Sequence, residues 1–234
     1  MEFPRIEPLG EAAWLVRFAD RLDPAANHAA IAFRAALEAD PLDDVEETAS
    51  SLASVLVRVG GNAAKVERAL RIRLGQTDWD QAPIEGRRRW SIPCAFGGEA
   101  GPQLGEAAEM AGLSPDQAVE EIAATPVDVL ALGFAPGMPY LGFLPEYWDL
   151  PRQTGLTPKV PKGALVVAVR QFVLFDVEAP TGWRQIGRTR FPCFDPARDP
   201  AVALRPGDEV RFDPVADLDW IAGHMGGAVV EAVP

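Results

Sequence analysis

The chain has 234 residues, room for one large domain or two smaller ones with a sizeable core. Its 34 acids against 22 bases give a formal charge of −12, which repels phosphate backbones and anionic headgroups and so argues against nucleic-acid and membrane-surface partners. With 21 glycines and 22 prolines in a 48% apolar sequence, turns and β-structure are expected rather than disorder.

No apolar run approaches the roughly 18 residues of a membrane span, and MEFPRIEPLGEA lacks the order of a signal peptide, so a cytoplasmic protein is expected. Cys94 and Cys193 lie far apart with no CxxC or clustered His, which predicts two buried thiols and neither a disulfide framework nor a metal site. His28 and His224 are the only histidines.

In chain order, Ala13–Phe18 alternates with the period of a half-buried strand. Asp23-Pro24 opens a helix carrying Ala26, Ala30, Phe33 and Leu37, which Asp40-Pro41 stops; His28 falls off that stripe and is expected at the surface. Ser54–Val59 is a second strand, and Gly60-Gly61-Asn62 turns into a helix with Val66 and Leu70. GGNAAK is not a phosphate loop, because Lys65 lacks the GxxxxGK[ST] frame. The polar run Gln76–Arg89 is the candidate linker between an N-terminal domain, 1–80, and a C-terminal domain, 88–234.

Beyond it, Trp90–Phe96 reads as a strand. Gln103–Ala111 and Pro115–Ala124 read as helices, the second opened by a Ser114-x-x-Gln117 capping box. Strands are expected at Val127–Leu132, Ala164–Val169, Phe172–Val177, Thr189–Phe194 and Glu209–Phe212, a pattern of a closed or sandwiched β-domain. Pro214–Met225 is expected to add a helix and Ala228–Val233 a closing strand.

Three segments read as informative loops. GFAPGMPYLGFLP (133–145) offers Phe134, Pro136 and Tyr140 as a shaped wall or a structural Ω-loop. PRQTGLTPKVPKG (151–163) gathers Arg152, Lys159 and Lys162, cations suited to a small carboxylate or phosphate or simply to solvent. EAPTGWRQIGRT (178–189) sets Glu178, Trp183, Arg184 and Arg188 around a Pro-x-Gly turn, with Glu178 a candidate base or orienting acceptor.

Together GGEAGPQL, LGFAPGMPYLGFL, VPKG, Gln171, PTGWRQIGRT and LRPGDEVRF resemble, in order and spacing, the B subunit of bacterial 5-oxoprolinase, also called allophanate hydrolase subunit 1 or the kinase-inhibitor family. The resemblance covers almost the whole chain. It implies an α+β protein, a small α/β N-terminal domain followed by a cyclophilin-like β-barrel. It also implies a heteromeric ATP-dependent opening of 5-oxo-L-proline to L-glutamate with a homologous C-subunit-like protein and an A-subunit-like protein. ATP would bind through the assembled complex, and no biotin attachment is visible. On this resemblance Arg152, Lys159, Lys162 and Arg188 would hold a carboxylate or phosphate beside Phe134, Pro136, Tyr140 and Trp183, with Gln171 or Glu178 at the carbonyl of a small lactam or amide. The resemblance also allows a carboxyltransferase-type subunit of urea metabolism, or a silent regulatory protein similar to the histidine-kinase inhibitors. The last is encouraged by Val166, Val169 and Arg170 standing where relatives carry Gly, with Val166 and Val169 expected to close the cleft. Ala164 replaces a Ser, Leu156-Thr157 a Pro-Arg pair, and Ile122-Ala123-Ala124 a segment with a His.

Overall fold

A computed structural model describes residues 3–219 and 225–233. The chain divides into two compact units, Met1–Glu85 and Gly86–Pro234.

In the first unit, strands β1 (Arg5–Pro8), β2 (Ala13–Arg17), β3 (Val45–Ser51) and β4 (Ser54–Val59) form an antiparallel sheet in the order β1-β2-β4-β3. Helix α1 (Pro24–Ala39) starts where the Asp23 carboxylate accepts the Ala26 N–H, and α2 (Ala63–Leu74) where the Asn62 side chain accepts that of Lys65. The helices bury Phe33, Leu37, Val66 and Leu70 against Val16, Val55, Val57 and Val59. The expected β-α-β-α order is thus ββαββα. Trp79 and Ala82, in the expected linker, are buried in this unit's core, and Arg88 and Arg89 already belong to the next strand. His28, expected on the surface, is half-buried and donates from Nε2 to the Ala82 carbonyl at 2.6 Å.

The second unit is built on β5 (Arg88–Phe96), helices α3 (Leu104–Met110) and α4 (Pro115–Ala124), β6 (Val127–Leu132) and β7 (Pro139–Gly142). It continues through β8 (Thr157–Val160), β9 (Ala164–Ala168), β10 (Gln171–Leu174), β11 (Ala179–Thr181), β12 (Arg184–Thr189), β13 (Glu209–Pro214) and β14 (Val229–Ala232). Among the described residues, the order β12-β9-β10-β7-β6-β13-β5 closes into a barrel through a further β12–β5 pairing, while β14 extends the other half of the β5 edge. The seam needs Gly187, since a Cβ there would stand 2.8 Å from the Cys94 Sγ and 2.9 Å from the Ala95 carbonyl oxygen. The ribbon β8–β11 lies outside this ring.

Alternation sorts the side chains of β9 and β10 into two layers. Leu165, Val167, Phe172 and Leu174 enter the main core with Ile92, Val129, Leu141, Phe212 and the α3–α4 residues Ala107, Ala108 and Ile122. Ala164, Val166, Ala168 and Val173 form a second layer with Val160 and Ala179 of the ribbon, Met138 and Trp183. The strand expected at Thr189–Phe194 lies earlier, at Arg184–Thr189, because Pro192 cannot donate to a ladder and the chain leaves the sheet. In the helix expected at Pro214–Met225, Pro214 ends β13 and 215–219 are irregular, while 220–224, His224 included, lie outside the described residues.

The β13–β5 pairing is parallel, from Glu209↔Arg89 to Pro214↔Cys94, and is anchored by Asp208, only 1% exposed. Its Oδ1 accepts from Arg88 Nε at 3.0 Å, and its Oδ2 accepts from Trp90 Nε1 at 3.2 Å and from the Arg205 N–H at 3.0 Å. In the β9–β10 turn two adjacent residues, Val169 and Arg170, have φ of 45° and 62°. The positive φ at both residues is that of a two-residue I′-type turn, suited to Asn and Gly rather than to a β-branched residue. Bonds from the Val169 N–H to the Leu150 carbonyl and from the Arg170 N–H to the Trp148 carbonyl hold it in place.

No helix among the described residues is long and apolar enough to cross a membrane. Cys94 and Cys193 are both free and fully buried, and burial pushes each thiol pKa far up; at Cys193 the Asp176 carboxylate adds to the effect.

Asp208→Ala strands the partly buried Arg88 and should lower stability by about 3–5 kcal/mol in urea denaturation. Val169→Gly relieves a left-handed β-branched residue, less the entropy of a freer unfolded chain, and should raise stability by about 0.5–1 kcal/mol in the same measurement. Neither thiol should react with a chromogenic disulfide at neutral pH in the folded protein, and both should react in denaturant.

Candidate functional site

The first expected loop is the tip of the β6–β7 hairpin. Phe134, at φ 70° and 72% exposed, projects there beside the exposed Pro136, with its ring centroid 6.3 Å from that of Phe175. Tyr140 is already in β7 and meets the buried Trp183 edge-on at 6.4 Å, on the second layer beneath the ribbon.

The cations of the second loop do not form one cluster. Lys159 pairs with Glu178 at 2.6 Å, both side chains more than half exposed. The Lys162 ammonium stands 3.3 Å from Oδ1 of the buried Asp176, whose Oδ2 accepts from the Phe194 N–H. Arg188 donates from Nε to the Lys162 carbonyl at 3.2 Å and has no acid partner among the described residues. Lys162 and Arg188 edge a cleft of about 690 Å³ that Gly97, Gly98 and Glu99 also line.

Arg152 lies on another cleft, of about 480 Å³, which shares no lining residue with the first. Its guanidinium carbon sits 5.6 Å from the Trp183 ring centroid, within cation–π range. Facing the same cleft is Arg184, absent from the expected site. It is 6% exposed and donates from Nε to Glu106 at 2.8 Å and from Nη1 to the Pro151 carbonyl at 2.6 Å. The 151–157 segment is fixed by Gln153, which donates its N–H to the Gly182 carbonyl and its side-chain amide to the Trp183 carbonyl, and accepts from Gln103.

Gln171 is buried beside the β9–β10 turn, paired with Ala168, whereas Glu178 follows the far end of that hairpin, where Leu174 pairs with Leu165. Gln171 thus opens β10, and Glu178 lies four residues past its end.

The two valines expected to close the cleft stand in different surroundings. Val166 faces Val173 across the ladder, both buried in the layer beneath the ribbon, while Val169 is 40% exposed in the turn. Among the described residues no group of three or more His, Cys, Asp or Glu is placed to hold a metal.

Residues 4–204 match the family described as "Carboxyltransferase domain, subdomain C and D". The chain is 30% identical to the 5-oxoprolinase B subunit of Bacillus subtilis over 231 residues, covering 93% of this chain and 95% of the relative. Its fold is similar to the crystal structure of TTHA0988, with a TM-score of 0.71 and 28% identity over 87% of this chain; it spans 39% of that longer protein. The Kluyveromyces lactis urea amidolyase also superposes, with a TM-score of 0.71 over 97% of this chain and 16% of that one, but at 17% identity the likeness is one of fold alone. The match over most of its length, joined to the same α+β architecture with a closed C-terminal barrel, places the chain in the carboxyltransferase subdomain C and D family, as a homologue of the 5-oxoprolinase B subunit.

Proposed function

We propose that the chain is the B-type subunit of a heteromeric, ATP-dependent amidohydrolase that opens 5-oxo-L-proline to L-glutamate in the cytoplasm. Its partners in this reading are a homologous C-subunit-like protein and an A-subunit-like protein. The observation that carries the reading is the nearly end-to-end match to a 5-oxoprolinase B subunit. The barrel is taken as cyclophilin-like.

Hydrolysing a lactam adds water across the C–N bond, and ATP supplies the driving force that the ring opening lacks. This chain's own contribution would be positioning. Arg188 and Lys162 edge the larger cleft, and Glu178 follows the same end of the β9–β10 hairpin from which Lys162 leads in, which favours Glu178 over Gln171 near a ligand held there. Tyr140 and Trp183 would support the wall behind it. One observation favours a second reading, a regulatory subunit without catalysis: Val166 and Val173 fill the layer beneath the ribbon and leave a small molecule no space at that point.

Co-expression with C-subunit-like and A-subunit-like proteins from the same source should give glutamate release that depends on both ATP and 5-oxoproline, while the chain alone is inert. Turnover by the chain alone overturns the requirement for partners. An assembled complex without ATP-dependent turnover overturns the hydrolase reading in favour of the regulatory one.

A further inference from the structure

The cleft between α3 and the 151–157 segment combines features that a solvated surface does not require. Arg184 is an almost fully buried cation in a protein of charge −12, and Glu106 and the Pro151 carbonyl occupy only its Nε and Nη1. Nη2 keeps its donors with no protein acceptor among the described residues, and the side chain lines an open cleft. A cation taken out of water is costly unless its charge and its hydrogen bonds are answered, and Glu106, half exposed, answers them in part.

Arg152 lines the same cleft, has no acid partner among the described residues, and is steadied by the Trp183 face. Both arginines are carried on backbone that Gln153 ties to Gly182 and Trp183, so little loop freedom remains to be lost on binding. Thr154 and Thr157 also line the cleft.

Charge selects the guest. Two arginines and Glu106 leave the cleft with a net charge near +1, which matches a single carboxylate and leaves most of a polyphosphate's charge unanswered. The guanidinium fork presents paired N–H donors at the spacing of carboxylate oxygens. We infer that this cleft is a binding site for the carboxylate group of a small molecule, held by Arg152 and Arg184, with Glu106 and Gln153 as positioning residues. The inference concerns binding by this chain and does not depend on the reaction proposed above.

Calorimetric titration of the full chain with 5-oxo-L-proline, acetate and inorganic phosphate tests it. At least one of the two carboxylates should bind with an affinity that falls as KCl is added, and more tightly than phosphate. Arg152→Gln, an exposed change that leaves the thermal transition unchanged, should weaken that binding about 10- to 150-fold, the loss expected for charge-assisted hydrogen bonds of about 1.5–3 kcal/mol. Arg184→Lys, which keeps the charge but not the fork, should weaken it too, and Lys65→Met, an exposed lysine of the first unit that lines neither cleft, should leave it unchanged. The inference is overturned if neither carboxylate binds, if phosphate binds more tightly than both, or if Arg152→Gln binds as the wild type does. It is equally overturned if Lys162→Met, in the other cleft, removes the binding while Arg152→Gln spares it.

Discussion

The carboxylate of Asp208 is the fixed point of the second unit. It stands immediately before β13 and accepts from Arg88 and Trp90 at the start of β5, so one buried charge holds together two segments that meet as parallel neighbours. Parallel pairing has no hairpin to set its register, and a one-residue slip would exchange the core and solvent faces of both strands. A charge buried this deeply is tolerated because nearly every lone pair is answered: three bonds from the Arg88 and Trp90 side chains on β5, one from the Arg205 backbone, and the Arg205 guanidinium at 3.5 Å. With that seam in register, β5 presents its other edge to β12 and closes the ring, and the two clefts take their walls from the loops at the ring's margin.

How much of this can be read from the residues depends on where the determining interaction lies. Helix α1 is legible because Asp23-Pro24 supplies a local cap and a fixed φ, and α4 because Ser114 and Gln117 cap each other within four residues. Strands β4, β6 and β9 declare themselves through apolar content. Strands β1 and β3 do not, since they are the outer members of their sheet, and VEETASS carries almost no apolar alternation. Strands β7, β8, β11 and most of β12 hide inside stretches whose Gly and Pro content reads as loop, and their pairing partners are supplied only by the closed barrel.

The site is less legible than the fold for a related reason. Proximity in sequence suggests one cationic cluster of Arg152, Lys159 and Lys162, but two of the three are matched by acids from the stretch after β10, and the third faces a different cleft. Asp176 gives no warning, because FVLFDVE reads as a strand in which one acid could point either way. Arg184 follows Trp183 in a stretch that reads as a turn, and only the packing of α3 against β12 puts its guanidinium out of solvent beside Glu106. Motif order identifies the family; it does not say which charges are already spent on one another.

The arrangement of β5 and β13 also bears on how the protein is made. The bonds that lock the seam join residues 120 positions apart, from Arg88 to Asp208, whereas β9 and β10 are joined by a two-residue turn. Closing so long a loop carries a large entropic cost that local hairpins avoid, so topology of this kind folds slowly. On a ribosome the first unit is complete in sequence while β5 still lacks both β12 and β13. Until the chain has emerged past Pro214, Ile92 and Cys94 have no barrel to enter, and the edge of β5 stays open to pairing with other nascent chains. The nascent chain is therefore most exposed to aggregation in its second half; β13 completes the ring, and β14, the last strand to arrive, covers the part of the β5 edge that remains.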